Sequence, residues 1–368
     1  MDERCIFCGT CVNVCPVGAK KVRDDLGRAR LLLKRKERVY VSLAPSFLAE
    51  FPGVAPGRII GALRQMGFAG VSETALGAEL VSAACARELA TGVPGLRLST
   101  ACPTVVELIR KYHPTLASRM TGLLSPLLAH CKLLRETFGQ DIGVVFIGPC
   151  VSKKLEAAVH PELLDVALTF SELHRWMADL KMDWAGLKET PEDRFVPGPS
   201  HTGALYPIDG GMNKGIQAVA ALPEACFMHF SGIPNILAAL DGLERGEPAQ
   251  PVFLELLACE GGCVNGPRTS QPAGTVLKRL GVIDYERPRN VAPETPELDI
   301  QDTVEQDAIA STPHTAPEIT TALRRVGKTT REDELNCGGC GYDSCRSFAA
   351  AFLEGRAEPS MCVSYMRK

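Results

Sequence analysis

The chain has 368 residues with a formal net charge of −3 at pH 7, and 45% of its residues are hydrophobic. This charge offers no electrostatic case for binding nucleic acid or an anionic membrane surface. The length exceeds what one hydrophobic core usually serves, so we expect two or three domains. The amino terminus lacks the apolar core of a signal peptide, and no apolar run reaches the ~18 residues of a membrane span. The sequence therefore predicts a soluble cytoplasmic protein with neither a membrane span nor a nucleic-acid partner.

Cysteine is the most informative residue type in the chain, which has 15 of them. Thiols in a reducing cytoplasm more often bind metal or do redox chemistry than form disulfides. Most of the cysteines fall into three groups of four, which predicts three metal centres with four thiolates each. Outside these groups we expect buried structural residues, although any of them could supply a missing ligand or carry a proton. These remaining residues are Cys85, Cys131 and Cys226.

The first group lies in a cysteine-rich head, predicted over residues 1–35. Its members follow the pattern C-x2-C-x2-C-x3-C-P and are Cys5, Cys8, Cys11 and Cys15. This is the run that holds a 4Fe–4S cluster in bacterial ferredoxins, although its fourth cysteine often serves a second cluster. Either Cys15 closes its own cluster, which we favour, or the fourth ligand lies elsewhere. A zinc knuckle is the alternative, but a trailing Cys-Pro is not typical of zinc sites.

From residue 36 to 285, short β-rich runs alternate with amphipathic helices. This alternation of near-continuous apolar strands with helices predicts an α/β domain with mostly parallel, twisted sheets flanked by helices. The predicted strands are “RVYVSLAP”, “LRLSTACP”, “DIGVVFIGPC”, “DVALTF” and “VFLELLAC”. The predicted helices, each ending near a glycine, include “PGRIIGALRQMGF”, “GAELVSAACARELATG” and “SPLLAHCKLLRETFG”.

The second group of cysteines is dispersed through this domain and consists of Cys102, Cys150, Cys259 and Cys263. Each member lies at or just past the end of a predicted strand, which is where open α/β sheets gather their sites. The fold itself must therefore bring these thiols together, so we expect a buried metal site. Gly261 and Gly262 let the backbone between the last two cysteines curl against that site.

The chain ends in a linker and a small module. Residues 286–333 are rich in proline, threonine and acidic residues, which predicts an extended linker. Residues 334–368 hold the third group, spaced C-x2-C-x4-C-x16-C, with a short helix predicted in “RSFAAAFLEG”. The module resembles a 4Fe–4S domain of corrinoid iron–sulfur proteins and electron-transport complexes, although zinc suits four cysteines equally well. Its ligands would be Cys337, Cys340, Cys345 and Cys362.

Three separated segments of the middle domain, “STACP”, “GPCVSKKLE” and “LACEGGCVNG”, resemble the signatures of the FeFe hydrogenase catalytic domain. Those signatures typically read T-S-C-C-P, M-P-C-x-x-K-x-x-E and M-A-C-x-G-G-C. The resemblance implies a two-lobed domain in which Cys102, Cys150 and Cys259 bind a 4Fe–4S cube as terminal ligands. It also implies that Cys263 bridges this cube to a di-iron unit that carries CO and cyanide. Lys153 would donate a hydrogen bond to a cyanide.

Departures from the family pattern surround the implied di-iron unit. Ala101 occupies the position of the proton-shuttling cysteine, and a methyl group cannot relay a proton. Gly148 and Leu257 replace two methionines, and “TGALYPIDGGM”, residues 202–212, replaces a segment that usually contains “TGGVMEA”. The cube ligands are unaffected. The resemblance is therefore closest to the divergent, sensory branch of the family.

We expect from this resemblance an iron–sulfur oxidoreductase that interconverts dihydrogen with protons and electrons, slowly and in a sensory or regulatory role. Glu156 and Glu255 lie near the signature cysteines and could pass protons, although a structural role is equally open. The expected partners are a ferredoxin-like or other redox protein and a signalling partner. The alternative is a non-enzymatic 4Fe–4S electron-transfer or iron–sulfur carrier protein without the di-iron unit. Lys153 has its own alternative, a solvated surface residue, because Lys154 is adjacent.

Overall fold

The chain divides into two compact units, Met1–Ala308 and Ile309–Lys368. A computed structural model of the protein describes residues 3–182, 186–246, 248–287, 295–309 and 314–367.

The strands of the first unit are β1 Val39–Leu43, β2 Gly70–Glu73, β3 Gly95–Leu98, β4 Gly143–Gly148, β5 Val166–Thr169, β6 Cys226–Ser231 and β7 Pro251–Leu257. In the described part of the chain they form one sheet in the order β2-β1-β4-β5 and another in the order β3-β7-β6. Every neighbouring pair is parallel. Parallel strands need crossover connections, which helices supply here. The predicted α/β class with parallel sheets is confirmed.

Helices connect and cover these strands. In the first unit they are α1 Thr10–Asn13, α2 Leu26–Arg35, α3 Phe47–Glu50, α4 Pro56–Gln65, α5 Ala75–Leu89, α6 Pro103–Tyr112, α7 Pro126–Phe138, α8 Lys153–Val159, α9 Phe170–Asp179, α10 Gly211–Val219, α11 Ile233–Leu240 and α12 Thr275–Glu286. In the second unit they are α13 Ala316–Arg325, α14 Cys345–Leu353 and α15 Val363–Met366. None of the described helices combines the length and the apolar character that crossing a membrane requires.

The apolar runs became strands because both faces of the sheets are covered. Every residue of β1, β4 and β7 is buried, and the five predicted strands are all present. Sequence reasoning missed β2, whose Ser72 and Glu73 are polar but buried. The Glu73 carboxylate accepts hydrogen bonds from the Tyr285 hydroxyl at 2.7 Å and the Ser200 backbone N–H at 2.6 Å. These partners lie far along the chain, so local hydrophobic periodicity did not indicate the strand.

The predicted linker of residues 286–333 differs from an extended, unattached segment. The stretch around Ile300 packs on the first unit, where the Ile300 carbonyl accepts a hydrogen bond from the Leu124 N–H at 2.8 Å. Further on, a capping box between Thr315 and Glu318 starts helix α13. The composition obscured both features, because backbone hydrogen bonds and a capped helix tolerate threonine, proline and acidic residues. Residues 288–294 and 310–313 of the predicted linker lie outside the described residues.

The cysteines outside the three groups are placed by the helices and by β6. Cys85 on α5 and Cys131 on α7 are buried in the main core, and burial raises the pKa of both thiols. Such thiols stay protonated and unreactive. Cys226 is half-buried and opens β6, so it lies at the amino end of a parallel strand. The second group of cysteines follows the carboxyl ends of such strands.

Candidate metal centres

The second group of cysteines meets where strands of both sheets end. Cys150 follows β4 of one sheet, whereas Cys102 and Cys259 follow β3 and β7 of the other. Cys263 begins a short 3₁₀ turn after β7. All four side chains line one cavity. The parallel topology therefore brings together four cysteines that in the sequence appear only after the ends of separate strands.

The electrostatics of this cavity call for a cationic occupant. Burial raises the pKa of the Cys102, Cys259 and Cys263 thiols, and charge on each neighbouring thiolate raises it further. Without a cation, the four could not all be ionised together. Bound iron would supply that charge, because thiolates are the ligands of iron–sulfur clusters.

A glycine turn brings Cys259 and Cys263 to the same cavity. Gly262 has a φ of 95°, and a Cβ built on it would lie 2.4 Å from the Pro207 carbonyl oxygen. That carbonyl also accepts a hydrogen bond from the Val264 N–H at 3.2 Å. The backbone on both sides of the turn therefore leaves no room for a side chain at this position.

We expect Gly262→Ala to abolish the central cluster while the head and tail keep theirs. The added methyl group must displace the backbone at Pro207, which moves Cys263 away from its partners. In the chain prepared without the hydrogenase assembly factors, which has no di-iron unit, iron content should fall by about four atoms per chain. Gly274→Ala is the matched control, because Gly274 has ordinary backbone angles and open space around it. Full iron content in Gly262→Ala would contradict this account of the turn.

Lys153 is a buried cation beside the central thiols. It is 8% exposed, and its Nζ lies 2.8 Å from Glu156 Oε2 and 3.2 Å from Ser125 Oγ. Burial lowers its pKa, but the charges of Glu156 and Cys150 outweigh this effect and raise the pKa above its usual range. The alternative of a solvated surface lysine is therefore wrong.

Lys154 contacts buried carboxylates and attaches the head to the rest of the first unit. Its Nζ lies 2.8 Å from Asp25 Oδ2 and 2.9 Å from a Glu172 carboxylate oxygen, and all three side chains are buried. The Asp25 N–H donates to the same glutamate at 2.8 Å. Two adjacent lysines thus have separate buried partners, and this network fixes Asp25 of the head to helix α9.

The positions that depart from the family pattern are Ala101, Gly148 and Leu257, and each is packed in a specific way. The Ala101 N–H donates to Ser99 Oγ at 3.1 Å, and its methyl group carries no exchangeable proton. A Cβ built on Gly148 would lie 2.4 Å from the Phe146 ring and 2.7 Å from the Ala44 methyl group. The space that a side chain at position 148 would need is therefore filled by Phe146. Leu257 is buried.

Two buried carboxyl groups accept hydrogen bonds from the backbone of residues 203–213. Glu255 accepts hydrogen bonds from the N–H groups of Gly210 at 3.2 Å and Asn213 at 3.0 Å, at the start of α10. Burial raises its pKa to about 7. Sequence reasoning missed Glu79, which accepts from the Gly203 N–H at 3.3 Å and whose pKa burial also raises to about 7. Its signal was a charged residue in the otherwise apolar first part of helix α5.

The head lies against the helix that starts at Cys102. Lys111 at the end of α6 donates to the Cys5 carbonyl oxygen at 2.9 Å, and Cys8 lines the same cavity as the central cysteines. The Ala19 N–H donates to the Cys15 sulfur at 3.3 Å. Backbone hydrogen bonds from Lys20 and Ala19 lower the pKa of that thiol. The role of Cys15 as fourth ligand stays a prediction.

The tail cysteines share a cavity within the second unit. Cys345 opens helix α14, and its N–H donates to Asn336 Oδ1 at 2.8 Å. Cys345 and Cys362 are buried, whereas Cys337 is exposed and Cys340 is half-buried in a glycine-rich loop. The sequence-predicted helix of this module is present as α14.

Comparison with known proteins identifies all three regions. A family model described as “Iron only hydrogenase large subunit, C-terminal domain” matches residues 37–267. A “4Fe-4S binding domain” model matches residues 1–21, and an Fe–S cluster model matches residues 333–364. These matches confirm the predicted 4Fe–4S clusters.

Relatives and solved structures agree with these matches. The chain is 26% identical to Iron hydrogenase 1 of Clostridium pasteurianum, over 68% of this chain and 53% of that protein. It is also 26% identical to the NADP-reducing hydrogenase subunit HndD of Solidesulfovibrio fructosivorans, over 72% of this chain and 56% of that protein. The chain thus spans about half the length of these curated relatives.

The structures show the fold. An FeFe hydrogenase of Chlamydomonas reinhardtii superposes with a TM-score of 0.57 at 20% identity, covering 74% of this chain and 92% of that chain. A structure that describes stepwise assembly of the hydrogenase H-cluster gives the same TM-score at 19% identity and the same coverage. The chain therefore belongs to the iron-only hydrogenase large-subunit family.

Proposed function

We propose that the chain interconverts dihydrogen with protons and electrons at the central site, slowly enough to serve sensing rather than bulk production. Buried Lys153 carries this proposal. Its buried ammonium interacts electrostatically with the Cys102, Cys150 and Cys263 thiols, so it can donate to an anionic ligand such as cyanide. Cys102, Cys150 and Cys259 would hold the cube, and Cys263 would join it to a di-iron unit that supplies the bond chemistry of dihydrogen. The protein supplies ligands, orientation and a dry cavity.

Electrons would reach the site through the head. Cys8 of the head and Cys259 of the central group line the same cavity, so their clusters would be neighbours. Cys11 is exposed, so a ferredoxin-like or other redox protein can approach that side of the head. We expect the partner protein to exchange electrons with the chain only when the head cluster is intact.

Proton transfer limits the rate of the proposed reaction. Ala101 removes the side chain that would carry the proton over the last step, so another group must replace it or the step is slow. Glu255 is buried near Cys263 and has a pKa near neutrality, while Glu156 is held by its ion pair with Lys153. Glu255 is therefore the better placed substitute. Slow turnover suits a protein whose output is binding to a signalling partner.

Infrared spectroscopy of protein matured with the hydrogenase assembly factors tests the proposal. We expect CO and cyanide stretching bands together with ~14 irons per chain, against ~12 for three cubes alone. Cys263→Ser is the matched control, which should lose the bands while the head and tail irons remain. Full iron in three cubes without such bands would overturn the proposal.

One observation favours a second candidate, a cube-only electron-transfer or iron–sulfur carrier protein. Phe146 and Ala44 fill the space beside Gly148, where the family carries a methionine next to the di-iron unit, while the cube ligands are unaffected. This candidate predicts ~12 irons without CO or cyanide bands. For the sensory role, the measurement is binding of the signalling partner with and without dihydrogen. Binding that ignores dihydrogen would exclude that role.

A further inference from the structure

A buried lysine faces the thiols of the tail module. Lys328 is 6% exposed. It lines the tail cavity together with Cys337, Cys340, Cys345 and Cys362. Lysine is seldom buried to this degree unless an anion accompanies it.

The protein partners of this lysine are neutral. Its Nζ donates to the Asp333 carbonyl oxygen at 2.8 Å and to Ser364 Oγ at 3.2 Å. The Asp333 carboxylate accepts instead from the N–H groups of Thr329 and Thr330, both at 2.8 Å. Within residues 314–367, no carboxylate forms an ion pair with Lys328. A buried ammonium without a counter-charge is strongly unfavourable, so the anion must come from the cavity.

The ligand thiols supply that anion. Ser364 Oγ lies 3.2 Å from Cys362 Sγ as well as near Lys328, so one hydroxyl group joins the lysine to a ligand. A 4Fe–4S cluster held by four thiolates carries net negative charge, which increases when the cluster is reduced.

We propose that Lys328 sets the reduction potential of the tail cluster by stabilising its reduced form. One electron from a redox partner enters the cluster, the lysine stays protonated, and no bond is made or broken. Charge near a cluster and hydrogen bonds to its sulfurs are the features through which a protein tunes this potential. Lys328 thus places a positive charge beside the cluster and is not one of its ligands. The inference does not depend on dihydrogen chemistry at the central site.

A redox titration of the full chain, followed by paramagnetic resonance, tests this inference. The midpoint that disappears in Cys345→Ser belongs to the tail. In Lys328→Gln that midpoint should shift to a more negative potential, while the other midpoints stay unchanged. Lys328→Arg, which keeps the charge, should leave the tail midpoint close to that of the unmodified chain. An unchanged midpoint in Lys328→Gln would overturn the proposal.

The same variants also decide the case in which Lys328→Gln loses the tail cluster. If the arginine variant then keeps its cluster and its midpoint, the requirement for a cation is supported. If both variants lose the cluster, as measured by iron content, the lysine acts through its shape and the proposal fails.

Discussion

Restoring a thiol at position 101 should accelerate hydrogen turnover of the matured chain by on the order of 10²-fold or more, which is the usual contribution of a positioned proton carrier. Ala101 follows β3 immediately before Cys102, so a cysteine there would reach the central cavity from the same strand end. Turnover is measured as dihydrogen evolution from a reduced dye, with iron content and infrared bands matched between the variants.

Ala101→Ser is the control for this substitution. Its hydroxyl group has nearly the size of the thiol but a much higher pKa, so it should leave the rate close to that of the unmodified chain. If Ala101→Cys gave no acceleration, the slow step would not be proton transfer at this position. Glu255→Gln would then show whether the proton reaches the site through that carboxyl group.

Replacing Lys154 with methionine should lower the free energy of unfolding of the first unit by about 3–5 kcal/mol. The substitution leaves the buried Glu172 carboxylate without its cation, which is much less favourable than losing an exposed ion pair. Asp25 keeps its ion pairs with Arg23 and Arg28. A shift of this size corresponds to a thermal midpoint lower by on the order of 10 °C. Circular dichroism at one scan rate, on samples of equal iron content, measures it.

Arg175→Met is the matched control, because it breaks an ion pair between the same two segments. The Arg175–Asp24 pair has 55% and 53% of its side-chain surfaces exposed, so its loss should cost less than about 1 kcal/mol. Equal midpoints for Arg175→Met and Lys154→Met would mean that the buried network adds no stability beyond a surface pair.

The sequence predicted what is local or repeated. The head and tail clusters could be recognised because their ligands lie within one short segment, and the central ligands because each follows an apolar strand. The same reasoning failed where distant residues supply the stabilising contacts. Glu73 in β2 is buried by hydrogen bonds from Ser200 and Tyr285, and neither can be inferred from the four residues of that strand.

Packing around the central site could not be predicted from the sequence either. The glycine at position 148 was a recognisable departure, but only the fold shows that Phe146, two residues earlier on the same strand, occupies the space. The two lysines after Cys150 look interchangeable in sequence. Their side chains reach opposite sets of partners because α8 begins there, and one helical step rotates the next side chain by about 100°.

Helix α6 also has a consequence for the rate of electron flow. It begins at Cys102, and near its other end Lys111 holds the Cys5 carbonyl. A helix of ten residues is ~15 Å long and rigid. Electron tunnelling falls off exponentially with distance, so a fixed separation keeps the transfer rate constant. A one-residue insertion in α6 would move Lys111 relative to the Cys5 carbonyl oxygen, and would change the distance between the two centres without altering a single ligand.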